Sequence, residues 1–391
     1  MTSEERKEVR YKRRKERREV KKKKKLLSFN ELFSYENLYK SYIRCRRNVG
    51  WKASTQKYIV QAPLNVYQTR KELMNGKFRS KGFCEFDLFE RGKKRKIKSV
   101  KIEERIVQRC LCDHALVPVI ERSFIYDNGA SIKNKGYHFA MNRMIRHLQY
   151  HYRKYGTDGY ILLFDFSKFF DNVSHDVIKE IVQKSFKDQR TIDLINHFID
   201  CFQGNKGLGL GSQISQTLAL ASCNKLDHLI KEELKVKCYG RYMDDGYLIH
   251  PDKKYLKQCL NVIKEECKKL GIILNDKKTQ IVKLSHGFTW LKGRFFLTPS
   301  GKIVKKIYKK SVTRERRKLK KLKKFCEAGR MTEKDAWSAF QSWRSYARHF
   351  NAYYTIKNME ELYSNLFGKE RLCIRQKKME KPLMHMNNYN M

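Results

Sequence analysis

The chain has 391 residues, and 87 Lys and Arg against 41 Asp and Glu give it a formal charge of +46. That excess goes beyond what solubility needs and points to a polyanionic partner. Nucleic acid comes before an anionic membrane, because the basic residues are spread along the whole chain and not gathered on one amphipathic helix. No run of about 18 apolar residues could span a bilayer, and the N-terminus has no apolar h-region, so no membrane span, no secretory signal and a cytoplasmic location are expected. A hydrophobic content of 41%, with 22 Tyr and 22 Phe, is enough to bury a core in two or three subdomains. The 11 Cys are scattered without zinc spacing and read as reduced, mostly buried thiols.

Residues 1–25 hold 14 Lys or Arg and five Glu with almost no apolar face. Residues 1–27 therefore read as a basic, flexible tail that gains order on nucleic acid. From Phe29 the pattern becomes globular. Leu32 and Phe33, then Leu38, Tyr39 and Tyr42, recur at helical spacing, and Ser34 can start the second helix. Lys93-Lys94-Arg95-Lys96-Ile97-Lys98 predicts a strand with a cationic polar face. Glu103 to Ile120 predicts a helix with Ile106, Val107, Cys110, Leu111 and Leu116 inward, and His138 to Tyr155 predicts another. Tyr160 to Phe166 is a near-continuous apolar run interrupted by Asp165, as in a buried strand. A helix running to about Phe186 follows Asn172 to Asp176, with Val177, Ile178 and Ile181 expected inside.

Gly207-x-Gly209-x-Gly211 lies in a Gly-rich loop that lacks the register and the preceding strand of a dinucleotide fingerprint. An apolar helix over Ser215 to Leu234, a helix over 254–270, and a strand and turn over Ile272 to Thr279 come next. Beyond Gly301 the chain changes character. Residues 314–324 form a cationic helix with a narrow apolar seam, and 333–366 are helical and aromatic-rich, with Trp337, Phe340, Trp343, Tyr346 and Phe350. Residues 369–391 are polar and read as a mobile tail.

The chemistry concentrates in Arg241-Tyr242-Met243-Asp244-Asp245-Gly246-Tyr247. Apolar and aromatic flanks predict a β-hairpin with Asp-Asp-Gly at its tip. Together with Asp165 on a second strand, this gives three carboxylates for two Mg²⁺ ions. Hard cations take oxygen ligands, and two of them about 3.5–4 Å apart clamp the attacking and leaving oxygens of an in-line phosphoryl transfer.

Tyr-x-Asp-Asp is the palm signature of reverse transcriptases, and the chain resembles that family over roughly residues 30 to 366. Gly92-Lys93-Lys94-Arg95 and Glu104-Arg105-Ile106-Val107-Gln108 resemble the fingers, and Phe164-Asp165-Phe166-Ser167-Lys168-Phe169-Phe170 the palm. Gly211-Ser212-Gln213-Ile214-Ser215-Gln216 resembles the loop-helix that braces the templating pair, Lys278-Thr279 the lysine motif, and Gly287 to Gly293 the primer-grip hairpin. The resemblance implies an α+β right-hand polymerase, in which fingers and palm combine antiparallel sheet with helices. Its fingers, with N-terminal helices, would span 28–158, its palm 159–300 and a small basic helical thumb 301–368.

The implied activity is RNA-directed DNA polymerisation, adding dNTPs to a primer 3′ end by two-metal-ion phosphoryl transfer. Asp165, Asp244 and Asp245, with the Phe166 carbonyl, would hold two Mg²⁺, with Mn²⁺ as a substitute. Lys93 and Arg95 would meet the triphosphate, and Lys278 would protonate the leaving pyrophosphate. Phe170 aligns with the gate that excludes a ribose 2′-OH, and Leu210, Gly211, Gln216 and Tyr242 would also face the dNTP. Lys133 or Lys135 would stand in for an Arg that the family often places in the Asn128–Gly136 loop. Arg316, Arg317, Lys320, Lys321 and Lys324 would hold nucleic acid. The implied partners are an RNA template, a DNA or RNA primer, dNTPs, a structured noncoding RNA and an accessory protein, and no membrane.

Many bacterial members read Gln-Gly-x-x-x-Ser-Pro where this chain reads Leu210-Gly211-Ser212-Gln213-Ile214-Ser215-Gln216. That substitution is the pattern of the diversity-generating retroelement enzymes, and Trp343-Arg344-Ser345-Tyr346-Ala347 is similar to theirs. It implies low fidelity at template adenines, in a bacterial or phage-infected cell. The alternatives are a phage-defence reverse transcriptase with unconventional templating and a group II intron-like enzyme. A retron enzyme is disfavoured by the lack of Val-Thr-Gly near the C-terminus. A non-catalytic RNA-binding palm protein is disfavoured because unused carboxylates around an empty metal site repel one another. An RNA-dependent RNA polymerase is disfavoured by the bulk of Phe170. Gly246 and Trp290-Leu291-Lys292-Gly293 depart from the family pattern.

Overall fold

A computed structural model describes residues 27–90 and 92–368, together with Glu5, Glu8 and Val9. Most of the expected basic tail and all of 369–391 lie outside the described residues, as does the side chain of Lys93. The chain divides into two compact units, one of residues 1–140, 164–246 and 257–279, the other of 141–163, 247–256 and 280–391.

After a single helical turn at Phe29–Leu32 comes helix α1 (Tyr35–Cys45), which starts at Ser34 as expected. The Ser34 hydroxyl accepts from the Asn37 N–H and satisfies one of the helix's orphan donors. Helices α2 (Ala53–Val60) and α3 (Ala62–Met74) follow, the second with Pro63 in its first turn. Strand β2 (Lys93–Val100) forms where the alternation placed it, but it pairs antiparallel with a strand the sequence reading did not identify, β1 (Phe83–Glu90). Lys94, Lys96 and Lys98 share one face with the acids of β1, in pairs Lys94–Asp87 at 2.9 Å and Lys96–Glu85 at 2.7 Å. The expected cationic face is thus partly neutralised across the hairpin. Arg95 falls on the other face by the two-residue period of a strand.

Helix α4 (Ile102–Leu111) runs on through a π-helical turn, Cys112–Leu116, into Val117–Ile120. Ile106, Val107, Cys110, Leu111 and Leu116 are all buried, as the periodicity required. Helix α5 (Tyr137–Tyr155) passes from the first unit into the second. Helix α6 (His175–Ser185) buries Ile178 and Val182, whereas Val177 and Ile181 are only half-buried, so its inner stripe lies one position round from the predicted one. Helix α7 (Gln189–Asp200) was not predicted, although Ile192, Leu194, Ile195, Phe198 and Ile199 give it a continuous apolar face. The predicted helix over Ser215–Leu234 is three pieces: α8 (Gln213–Ser222), a short helix Asn224–His228 and a π turn Leu229–Glu233. The predicted strand at Ile272–Leu274 is a single bridge, Leu274 to Phe166.

Four strands form a sheet in the order β4-β5-β3-β6: β3 (Tyr160–Asp165), β4 (Tyr239–Tyr242), β5 (Asp245–His250) and β6 (Gln280–Lys283). The carboxylate-bearing ends of β3 and β5 belong to the first unit. Helix α9 (Lys253–Lys269) follows β5.

The second unit contains a three-stranded sheet of β7 (Phe288–Trp290), β8 (Gly293–Leu297) and β9 (Ile303–Ile307). Leu291 and Lys292 join β7 to β8 with φ of 46° and 64°, both positive as a two-residue type I′ turn requires. Helices α10 (Lys309–Glu327), α11 (Glu333–Ala347) and α12 (Tyr353–Phe367) then pack around Leu319, Leu322, Phe340, Trp343, Met359 and Tyr363. The described cysteines are free thiols, most of them buried. Among the described residues no helix is long and apolar enough to cross a membrane.

Gly246 has a packing reason. A Cβ built there would lie 2.1 Å from the ring of Phe164, which is buried beside it and stacks on Tyr239. We expect Gly246→Ala to lower the thermal midpoint, by overpacking that costs about 1–3 kcal/mol. A second change, Phe164→Leu, should restore most of the loss. A Gly246→Ala protein as stable as the parent would show that Phe164 does not set the residue at 246.

Candidate active site

β3 ends at Asp165, which is only 4% exposed. Its main-chain carbonyl accepts from the Asn275 N–H at 2.8 Å. Its Oδ1 accepts from Asn275 Nδ2 at 3.2 Å, and its Oδ2 from Lys278 Nζ at 2.7 Å. Asn275 and Lys278 belong to one tight turn, closed by the Lys278 N–H on the Asn275 carbonyl at 3.1 Å. Asp165 therefore enters the core already hydrogen-bonded, as a buried charge must be.

The second part is the turn between β4 and β5. Met243 and Asp244 are its two central residues and Asp245 already belongs to β5, so the tip is Met-Asp and not the expected Asp-Asp-Gly. Met243 adopts a left-handed φ of 55°, a conformation that L side chains rarely take. The Phe166 N–H donates to the Asp244 carbonyl at 3.2 Å and ties the end of β3 to this turn. Asp165, Phe166, Asp244, Asp245 and Lys278 are thereby brought together.

The Gly-rich loop fastens a third part to them. The Leu208 N–H donates to the Phe170 carbonyl at 2.7 Å, and the Lys98 N–H to the Leu210 carbonyl at 2.9 Å. A Cβ at Gly209 would strike the Phe202 ring at 2.5 Å, and one at Gly211, whose φ is +118°, would strike the Lys98 carbonyl oxygen at 2.9 Å. The glycines thus let the loop lie against β2, which explains the Gly-x-Gly-x-Gly run without any nucleotide fingerprint. Phe170, Leu210 and Tyr242 are half-buried; Arg95, Gly211 and Gln216 are exposed.

Other predicted residues fall elsewhere. Lys135 is engaged within its own loop. Its Nζ donates to the Tyr126 carbonyl at 2.7 Å and the Asn128 carbonyl at 3.1 Å, and lies about 5 Å from the Tyr126 and Phe139 ring centroids. Lys133, the other lysine named for this loop, is exposed. On α10, Arg316, Arg317, Lys320, Lys321 and Lys324 are all exposed, as expected.

Sequence reasoning missed Asn275, Arg241 and Asp227. Arg241 and Asp227 form an ion pair, both side chains 0% exposed. Arg241 stands immediately before the signature, and Asp227 is the first carboxylate in the apolar helical stretch, ahead of Glu232 and Glu233. A charge with no solvent-facing stripe to sit on was the available signal.

A family profile described as reverse transcriptase (RNA-dependent DNA polymerase) matches residues 81–320. The chain belongs to the reverse transcriptase family. No curated protein sequence matches it. Among solved structures, telomerase from Candida albicans in complex with a fragment of telomeric RNA is similar at 13% identity and a TM-score of 0.44. That match covers 56% of this chain and 44% of the telomerase. Telomerase from Candida tropicalis, truncated from its C-terminal domain, is similar at 13% identity and a TM-score of 0.44, over 62% of this chain and 60% of the telomerase. The chain thus spans roughly half the length of these structures.

Reverse transcriptases use divalent metal ions. Among the described residues, no three His, Cys, Asp or Glu side chains are drawn together tightly enough to enclose an ion unaided. The donor chemistry of this reverse transcriptase nonetheless fits a hard cation. Burial raises the carboxyl of Asp244 above its ordinary range, with the charge of Asp165 adding to it and those of Lys278 and Arg95 opposing. Burial, followed by the charges of Asp244 and Asp165, pushes Asp245 up to about 7. Burial works to lower Lys278, but its hydrogen bond to Asp165 and the surrounding carboxylates outweigh that and raise it, so the ammonium keeps its proton. The ammonium beside Asp165 supplies the positive charge that the cluster needs.

The sign of the pH dependence follows. Asp245 carries a higher pKa folded than unfolded, so the metal-free fold is favoured with the proton bound. That contribution is present below the unfolded pKa of about 3.9 and is lost as pH rises to 7. Without metal, Asp245→Asn should therefore gain thermal stability over the parent progressively from about pH 4 to 7, and no more above that. A difference independent of pH would show that Asp245 titrates normally. Mg²⁺ affinity of the parent should fall below pH 7, where the proton competes for Asp245.

Proposed function

We propose that this reverse transcriptase is an RNA-directed DNA polymerase that extends a primer with dNTPs. The observation that carries the reading is the gathering of Asp165, Asp244, Asp245 and a protonated Lys278 at one strand end and one turn. Asp165, Asp244 and Asp245, with the Phe166 carbonyl, would hold two Mg²⁺ ions, for which Mn²⁺ can substitute. Bound there, the ions supply positive charge to the attacking and leaving oxygens of an in-line displacement.

The residues do the rest. The primer 3′ hydroxyl loses its proton to solvent as its oxygen bonds to the α-phosphorus, the bond to pyrophosphate breaks, and Lys278 gives the departing oxygen a proton. Its raised pKa keeps that proton available at neutral pH. Arg95, together with Lys93, meets the triphosphate; the field of Arg95 already reaches Asp244. Phe170, held through its carbonyl by Leu208, bars a ribose 2′-OH. Leu210, Gly211, Gln216 and Tyr242 border the nascent pair. In this reading residues 28–158 are fingers, 159–300 palm and 301–368 thumb. The exposed Arg316, Arg317, Lys320, Lys321 and Lys324 take the phosphates of the template–primer duplex, with Lys133 as a further contact.

The finer reading is an error-prone enzyme of the diversity-generating retroelement type, working with a structured RNA and an accessory protein. Its support is Leu210, an aliphatic side chain where related enzymes carry Gln. The residue is joined to β2 only through main-chain atoms at Ile97 and Lys98, which leaves the side chain without a polar grip on the nascent pair.

The test is sequencing of DNA made by purified protein from a mixed-sequence primed RNA with Mg²⁺ and dNTPs. Asp244→Ala/Asp245→Ala should abolish product. Errors concentrated at template adenines, and reduced in Leu210→Gln, are expected. Accurate product, or a Leu210→Gln protein that misincorporates as often as the parent, would remove the low-fidelity reading. Product unrelated to the template would favour the defence alternative.

A further inference from the structure

Arg241 is the largest fully buried side chain among the described residues. Its guanidinium grips Asp227 with both prongs, Nε to Oδ1 at 2.8 Å and Nη2 to Oδ2 at 2.5 Å. Tyr239 donates its hydroxyl to the same Oδ1 at 2.5 Å. One nitrogen remains, and Nη1 donates to the main-chain carbonyl of Met243 at 2.8 Å. The main chain of Arg241 is engaged as well. Its N–H donates to the Asp127 carbonyl at 3.2 Å, and its carbonyl accepts from the Gly129 N–H at 3.0 Å.

Met243 is the residue with the left-handed φ, immediately before Asp244 and Asp245. Such a conformation is strained in a residue with a side chain and persists only where its surroundings over-determine it. Arg241 is the side chain that reaches its carbonyl. A buried ion pair is in itself a weak source of stability, since a well-packed apolar pair of similar volume often serves equally well. An apolar pair cannot, however, donate to Met243. Lysine, a point charge without the planar fork, could not hold the carboxylate at two points and the carbonyl at a third.

We infer that Arg241 is a positioning residue: braced by Asp227, it holds the Met243 carbonyl so that Asp244 and Asp245 stand in place for divalent metal. The inference rests on the polymerase reading for the purpose of the turn, but its first readout is binding of the metal alone.

The experiment uses the full chain in three forms: the parent, Arg241→Lys, and the double variant Arg241→Met/Asp227→Leu. Free Mn²⁺ is titrated by electron paramagnetic resonance, with Asp165→Asn to identify the site, alongside thermal midpoints, kcat for primer extension and Kd for primed template. The double variant should keep a midpoint near that of the parent and an unchanged Kd. Its Mn²⁺ affinity and kcat should fall by about 10–100-fold, the usual cost of losing a residue that orients metal ligands. Arg241→Lys should show the same split. A folded variant with parental Mn²⁺ affinity and kcat would overturn the inference. So would failure of both variants to fold, because the pair would then be an element of folding alone. A parent that binds Mn²⁺ at Asp165 yet extends no primer would sink the polymerase reading and leave the Mn²⁺ comparison to decide this one.

Discussion

Three carboxylates share one small, partly dehydrated volume in this fold. Like charges so placed repel, and burial penalises each ionised form further. Both effects are visible in the raised carboxyls of Asp244 and Asp245. The cluster cannot hold itself together, so neighbouring groups must hold it. Every main-chain carbonyl at the critical points is accordingly engaged: Asp165 by the Asn275 N–H, Asp244 by the Phe166 N–H, Met243 by the Arg241 guanidinium. The hydrogen-bonded backbone thereby opposes the repulsion between these side chains.

Packing around the cluster obeys the same requirement of close approach. Phe164 fills the space that a side chain at 246 would need, which lets β5 pass directly over the ring. Three glycines of the loop before α8, Gly207, Gly209 and Gly211, serve three separate contacts, with Asp171, Phe202 and Lys98. Together they allow one short strip of backbone to bond to the Phe170 segment at one end and to β2 at the other. In this way the Phe170 segment and β2 are referenced to the same loop. Movement of that strip would shift both at once.

The carboxylates were legible because each violates its context. Asp165 interrupts an apolar strand, and Asp244-Asp245 form a doublet between apolar flanks. Helices such as α4 and α5 were legible because their periodicity is clean. The bracing was not. Asp227 and Arg241 lie 14 residues apart in sequence, and the chain turns back between them beyond Leu234, where Lys235 takes a left-handed φ of 49°. β1 was hidden because it carries apolar residues on both faces, Phe86 and Leu88 on one and Phe83 and Phe89 on the other. Alternation of hydrophobic and polar residues therefore fails. The tip of the hairpin was misplaced because Met243 takes a conformation that local preference assigns to glycine or asparagine.

A count of basic residues treats all 87 alike, whereas the fold separates them by environment. Arg241 is sealed in the core and neutralised at close range. Lys94 and Lys96 face acids across a hairpin, in exposed pairs of the kind worth about 0–1 kcal/mol. Lys135 is held by two carbonyls and two rings. On α10, Lys318 and Lys323 pair with Glu315 and Glu327 and Lys321 lies over the Phe325 ring, whereas Arg316, Arg317, Lys320 and Lys324 are exposed, on a helix that commits Leu319 and Leu322 to the core. Only charges of this last kind can exchange water and counterions for phosphate, the step that gives polyanion binding its salt dependence. The electrostatic footprint on nucleic acid is therefore set by a subset of the charge, and net charge alone overstates it.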